Sequence, residues 1–201
     1  MLQDPSNGKP LIYYSINLAI LTGLKPVIIY SDNKTKLRKY IETEFGKDAC
    51  IFVKHNPKSW EEWPHSVLSS EKHWGRYNIL ILPDTRFEQA LEPLKWIRNV
   101  LREFKEKEVV FGTLNVDDGS KYAVIKKGDS GIIYTAEKPK SLSGKAALAW
   151  GLLGFTKKMG RLLFSVYGRR NAQAGIPVEK VAMIALTNFR DITRNGKVEG
   201  T

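Results

Sequence analysis

KPLIYYSINLAILTGLKPVIIY, residues Lys9 to Tyr30, is the stretch whose reading decides the fold. Its first part reads as a helix over Lys9 to Gly23, with Pro10 near the first turn and Ile12, Ile16, Ala19 and Ile20 on one face. Gly23 suits the position just past a helix end, where a left-handed residue closes the last turn. Pro26 to Tyr30 then forms a continuous β-branched run, the mark of a strand buried on both faces. Helix followed at once by buried strand is the unit of an α/β protein, and the pattern repeats outward. Lys36 to Phe45 reads as a second helix closed by Gly46, Ala49 to Lys54 as a strand, and Pro64 to His73 as a short helix. Tyr77 to Leu82 (YNILIL) is a third buried strand, ending in Pro83-Asp84-Thr85. Phe87 to Lys105 reads as a helix and Glu108 to Leu114 as the next strand.

The second half changes character. Lys121 to Lys126 and Gly131 to Glu137 flank Lys127-Gly128-Asp129-Ser130, which predicts a hairpin with turn chemistry at its tip. Ala146 to Phe155 fits strand or helix by pattern, and the Gly151 and Gly154 pair favours a strand with close backbone approach. Gly160 to Arg170 reads as helix, Val178 to Ala185 as helical or extended, and Gly196 to Thr201 as a frayed end. The expected architecture is α/β, a mostly parallel sheet with helices on both faces and an added β-hairpin.

The chain has 201 residues, 42% hydrophobic and 26% charged, which fits one domain with a core of useful size. Its net charge is +11, which points to anionic partners, but the lysines and arginines are dispersed in short pairs. A nucleic-acid module carries a denser basic stripe, so nucleic acid is not the expected partner. Cys50 is the single cysteine, reads as a buried structural thiol, and fits a reducing compartment. Leu11 to Leu24 is too short to span a bilayer and Met1 to Pro10 lacks an apolar signal region, so the expectation is a cytoplasmic protein with no membrane partner. His65 and His73 have no Cys or His at zinc-like spacing, and no Ser-His-Asp order or nucleophile elbow is present.

The order of motifs resembles the sugar-1-phosphate nucleotidyltransferases, glucose-1-phosphate thymidylyl- and uridylyltransferases among them. Lys9 to Ile16 with Leu21 to Leu24 is similar to that family's second signature, and Ile79 to Thr85 to its metal-binding strand end, with Pro83 where glycine is usual. Lys121 to Val124, Gly131 to Ile133 and Glu137-Lys138-Pro139-Lys140 resemble its hairpin and Glu-Lys-Pro motif, with Ala123 where glycine is usual. Ala149 to Leu152 resembles the following strand and Phe189 to Ile192 the late aspartate motif. The resemblance implies a Rossmann-like three-layer α/β/α fold of the nucleotide-diphospho-sugar transferase (GT-A-like) type over residues 1–201, with a nucleotide-binding-type half over 1–115 and a sugar-binding-type half over 116–201. The family opens with a strand and a Gly-rich loop whose backbone N–H groups wrap the phosphates. Only Met1 to Gly8 stands before Lys9, whereas a strand, loop and return need roughly 20–30 residues. The expectation is therefore an opening strand missing or replaced, and a chain that is a fragment or transfers nucleotides poorly.

The implied reaction joins a nucleoside triphosphate and a sugar 1-phosphate into a nucleotide sugar and pyrophosphate with Mg²⁺. Asp84 and Asp191 are the implied metal ligands. The bland readings are a turn acid for Asp84 and a helix cap for Asp191. Glu137, Lys138 and Gly151 are the sugar and phosphate candidates; both charged neighbours reach one ligand only if the chain bends at Pro139, and Gly151 reads equally as a bulge. Lys9, Trp63 and His65 are the nucleotide candidates, although a tryptophan at such a place is more often a loop anchor. A noncatalytic nucleotide-sugar-binding relative, a GT-A-type glycosyltransferase, a basic nucleic-acid-binding protein and a homo-oligomer stay open as alternatives.

Overall fold

The computed structural model describes residues 3–83, 85–87, 93–128, 131–167, 175–185, 189–192 and 198–199. In chain order the elements are α1 (Ile12–Leu21), β1 (Val27–Tyr30), α2 (Thr35–Phe45), β2 (Ile51–Lys54), α3 (Trp63–Ser69), β3 (Tyr77–Ile81), β4 (Thr85–Phe87), α4 (Pro93–Glu103), β5 (Val109–Val116), β6 (Ala123–Lys127), β7 (Ile132–Glu137), β8 (Ala147–Thr156), α5 (Lys157–Tyr167), β9 (Ile176–Pro177), β10 (Val181–Ala185), β11 (Phe189–Ile192) and β12 (Val198–Glu199). The chain divides into two compact units: Met1–Trp74 with Pro83–Ile97 and Asn188–Thr201, and Gly75–Leu82 with Arg98–Thr187.

In the first unit β1 and β2 pair in parallel, Val27 opposite Ile51 through Tyr30 opposite Lys54. Ile16 of α1, Ile41 of α2 and Cys50 form the buried centre, covered by Ile12, Ile28, Leu37, Tyr40, Phe45, Ala49 and Phe52. Burial of Cys50 pushes its thiol pKa up, as expected of a structural cysteine. Gly23 and Gly46 end α1 and α2 with φ of 73° and 93°, conformations that cost an L side chain energy. Arg38 and Glu42 pair one turn apart on α2 at 2.7 Å. A second, small sheet has the order β12-β11-β4, all antiparallel. Two expectations are corrected here. Thr85–Phe87 is strand, so Phe87 does not open the expected helix, whose described part spans Pro93–Glu103. Val198–Glu199 pairs with Ile192 and Asp191 instead of fraying.

The second unit is built on a mixed sheet of order β10-β5-β8-β6-β7-β9, with β3 also paired to β8. β3 and β5 run the same way, as an α/β reading requires, but antiparallel β8 pairs with both. Among the described pairings only β1 with β2 and β10 with β5 are parallel. The mostly parallel sheet expected from sequence is thus corrected to a mixed one. A buried strand looks the same in sequence whichever way its neighbour runs. β8 is buried over most of its length. Gly154 lies against the ring of Phe104, where a Cβ would stand 2.8 Å from Phe104 Cζ. α5 starts at Lys157, before the expected Gly160, because Thr156 Oγ1 accepts a hydrogen bond from the Met159 N–H at 3.3 Å, as a helix N-cap does. Val178–Lys180 is one 3-10 turn and β10 is extended, which resolves the ambiguity of that segment toward its β-branched composition.

Asp118 ties the β5–β6 and β7–β8 connections together. Its Oδ1 accepts from the Ser120 N–H at 3.1 Å, the Ser120 hydroxyl at 2.6 Å and the Gly144 N–H at 3.1 Å. Gly119 donates its N–H to the Lys145 carbonyl at 2.9 Å, and a Cβ there would come within 2.6 Å of Ala147 Cβ, so this crossing needs glycine. The Ser120 hydroxyl first, then the Gly144 and Ser120 amides and Lys121, hold the Asp118 carboxyl below its ordinary value of 3.8. A depressed folded pKa gives stability that is present above the unfolded value and lost as pH falls through the folded one. Asp118→Ala is therefore expected to lower the urea midpoint at pH 7, with the gap from wild type closing below pH 3.8. A gap that stays constant down to pH 2 would show that the carboxylate charge has no part in the tie.

Candidate functional site

Parallel β1 and β2 end together at Tyr30 and Lys54, and the carboxyl ends of parallel strands are where α/β proteins place ligands. Two segments leave this edge. Ser31 to Lys34 turns into α2, and His55 to Glu62 leads to α3. Lys54 Nζ reaches Asp32 Oδ1 at 2.7 Å and Asn56 Nδ2 donates to Asp32 Oδ2 at 2.7 Å. The Asp32 N–H donates to Asn56 Oδ1 at 2.9 Å, closing a clasp between the two segments. Lys54 first, then Asn56, lowers the Asp32 carboxyl pKa.

Trp63 and His65, the residues expected to face a nucleotide, lie in the first turn of α3. His65 Nδ1 accepts from the Glu62 N–H at 3.1 Å, while the Glu62 side chain accepts from the His65 N–H, so the imidazole closes a capping box. Trp63 is 41% exposed and Trp60 50%. Trp60 sits edge-on to His65, with ring centroids 5.3 Å apart and planes at 89°. No periodic pattern singles out Trp60, whose one signal in the sequence is a tryptophan in the polar segment between β2 and α3. Lys9 remains exposed and stands 3.9 Å from the Tyr13 ring centroid; contact with Tyr13, then the charge of Glu44 and the Tyr40 hydroxyl, raises its pKa. Just ahead of it, buried Asp4 accepts from the Ser6 N–H at 2.9 Å and the Tyr14 hydroxyl at 2.6 Å, folding residues 4–9 into a tight loop.

Asp84 lies outside the described residues. Asp191 is in β11, where the backbone register sets it opposite Thr85, the residue that follows Asp84. No group of three or more His, Cys, Asp or Glu positioned to hold a metal occurs among the described residues.

In the second unit Glu137 is the last residue of β7 and pairs with Ala123 across the hairpin, so the two side chains share a face. Lys138 takes a left-handed φ of 42°, its N–H donates to the Tyr122 carbonyl at 3.0 Å, and the chain turns into a 3-10 segment over Lys140–Leu142. The bend expected at Pro139 thus falls one residue earlier, at Lys138. A left-handed lysine costs about 1–2 kcal/mol, a local strain of the kind that gathers at ligand sites. Gly151 is the extra residue of a bulge: Gly112 pairs with Leu152 and Thr113 with Trp150, leaving Gly151 without a partner in β5.

No curated protein matches the chain by sequence comparison. Its fold is similar to that of a Bacillus anthracis protein assigned as a glucose-1-phosphate thymidylyltransferase, solved with a sucrose: 15% identity over 96% of this chain and 81% of that one, TM-score 0.70. A UDP-glucose pyrophosphorylase solved with UDP-glucose is 22% identical over 86% of this chain and 73% of its own, TM-score 0.62. HddC from Yersinia pseudotuberculosis, solved with GMP-PN, is 14% identical over 90% of this chain and 78% of its own, TM-score 0.61. Among the described residues no helix is long and apolar enough to cross a membrane. The nucleotidyl transferase family model matches residues 3–183, nearly the whole chain, and with the mixed α/β sheet this places the protein in the nucleotidyl transferase family.

Proposed function

We propose that this nucleotidyltransferase acts on a nucleoside triphosphate and a sugar 1-phosphate. In that reaction an oxygen of the sugar phosphate attacks the α-phosphorus, a new P–O bond forms, the bond to the β-phosphate oxygen breaks, and pyrophosphate leaves. The observation that carries the reading is the pairing of β11 with β4, which brings the late aspartate motif opposite the residue after Asp84. Two carboxylates suit Mg²⁺, a hard cation that takes oxygen ligands, and Asp84 and Asp191 are the residues that would hold it. When bound, the ion neutralises charge on the phosphates. The chain's own part is to position two anions that repel each other. Lys9 stays exposed for a phosphate of the triphosphate. Glu137, exposed at the end of β7, offers acceptors to sugar hydroxyls, and Lys138 offers a point charge to the sugar phosphate. Gly151 is buried at the bulge, so its part is to shape β8 and not to meet a sugar directly. The complexes of the structural relatives with UDP-glucose and with GMP-PN support nucleotide and nucleotide sugar as ligands here too.

The test is pyrophosphate release and nucleotide binding measured together, with a panel of nucleoside triphosphates and hexose 1-phosphates and with Mg²⁺ present or withheld. The expected result is binding of nucleotide sugar with slow pyrophosphate release that requires both substrates and Mg²⁺. Binding of nucleotide sugar without release for any pair would assign the chain to a noncatalytic binding role instead. Binding of neither would overturn the reading.

A further inference from the structure

We propose that Trp60 is a base-stacking platform of the nucleotide subsite, an inference that rests on the nucleotidyltransferase reading above and assigns its base contact. The argument starts from the cost of leaving an indole half exposed, since burying a large aromatic is worth a few kcal/mol. Trp60 is 50% exposed, yet its surroundings are ordered, not loose. Residues 58–61 form a tight turn in which the Glu61 N–H donates to the Lys58 carbonyl at 3.0 Å and the Lys58 N–H donates to Glu61 Oε2 at 3.0 Å. The same Glu61 oxygen stands 3.3 Å from His55 Nε2, and both side chains are largely buried. His55 is the first residue after β2, and its N–H donates to the Tyr30 carbonyl at the end of β1 at 2.8 Å. The turn that carries Trp60 is therefore pinned to the carboxyl edge of the parallel pair. On its far side the indole meets His65, itself fixed by the α3 capping box.

The result is an indole held at both ends of its loop and still open to solvent, at the edge where an α/β sheet takes its ligands. Lys58 Nζ lies over one face of the ring, 5.5 Å from its centroid, and brings positive charge there, leaving the opposite face for a base. A flat ring with an adjacent cation fits a ligand that has a π-face and a negative charge, which is the chemistry of a nucleotide. Stacking discriminates weakly among bases because each presents a π-face, so this contact contributes affinity more than base choice.

The experiment uses the full chain. Binding of UTP, dTTP, GTP and ATP is measured by calorimetry for wild type, Trp60→Ala and Trp60→Phe, with near-ultraviolet circular dichroism to confirm folding. In parallel the indole N–H resonances are followed by NMR, Trp60 being the signal missing from Trp60→Phe. The expected result is weaker nucleotide binding in Trp60→Ala by roughly fivefold to a hundredfold, substantial recovery in Trp60→Phe, and a Trp60 signal that shifts with nucleotide but not with tripolyphosphate. Nucleotide binding that is equal in wild type and Trp60→Ala, with an unmoved Trp60 signal, would overturn the stacking role while leaving the family reaction standing. If wild type binds no nucleotide, the stacking role and the nucleotidyltransferase reading both fall.

Discussion

Replacing Asp191 with asparagine is expected to lower Mg²⁺-dependent pyrophosphate release by about a hundredfold or more, since a metal bound at transferring phosphates supplies several kcal/mol of charge stabilisation. The β11–β4 register sets Asp191 opposite Thr85, and the substitution keeps the side chain's size, so the strand pairing is expected to survive. The loss should therefore fall on the metal and not on the fold. Three measurements separate these outcomes: turnover, the Mg²⁺ dependence of nucleotide binding, and the thermal midpoint. The expected pattern is a collapse of the first, a flattened second and an unchanged third. Asp84→Asn is expected to behave alike, and because both carboxylates would serve one ion, the double variant should be little worse than either single one. Wild-type turnover in Asp191→Asn would remove this residue from the metal site.

The second large effect is on stability. Gly154→Val is expected to destabilise the protein by about 2–3 kcal/mol, the upper part of the range for forcing extra atoms into a packed core. A Cβ at this position would stand 2.8 Å from Phe104 Cζ and 3.3 Å from both Phe104 Cε2 and Val110 Cβ. Phe104 is 4% exposed and its ring stacks on Tyr77, centroids 4.8 Å apart at 20°. Val110 sits directly opposite Gly154 in the ladder and is fully buried. Neither neighbour can yield without opening the core of the mixed sheet. Gly154→Ala should show the same sign with a smaller shift, and Phe104→Leu should relieve part of the valine penalty. Urea unfolding followed by circular dichroism gives the answer, and an unchanged midpoint for Gly154→Val would mean that the ring of Phe104 is free to move away.

The candidate site was legible in uneven measure. The Glu137-Lys138-Pro139 segment was placed at the end of a hairpin strand, and it stands there because alternation and turn residues are local signals. The bend itself falls at Lys138, in a left-handed conformation that no propensity favours for lysine. The resemblance offers Trp63 and His65 as nucleotide candidates, yet the imidazole Nδ1 is engaged in the α3 cap, a geometry set by where the helix starts. Trp60 has no periodic pattern around it. Its exposure follows from the His55–Glu61 contact and the Lys58 turn, which sequence spacing alone does not reveal.

What the sequence by itself determined is the set of elements and their polarity. The strand runs at Val27–Tyr30, Ile51–Lys54, Tyr77–Ile81 and Val109–Val116, the helix ends at Gly23 and Gly46, and the β6–β7 hairpin all follow from side-chain type, period and backbone freedom, which act over a few residues, although β1 and β3, expected to be buried on both faces, are only half-buried. Tertiary structure alone decided which strands lie side by side. Antiparallel β8 pairs with both β3 and β5 and turns an expected parallel sheet into a mixed one. Thr85–Phe87 becomes strand because Phe189–Asp191, about a hundred residues later, supplies a partner for its N–H and C=O groups. Backbone hydrogen-bonding groups are identical in nearly every residue, so sequence announces that a strand needs a partner and leaves the choice of partner to the packing of the whole chain.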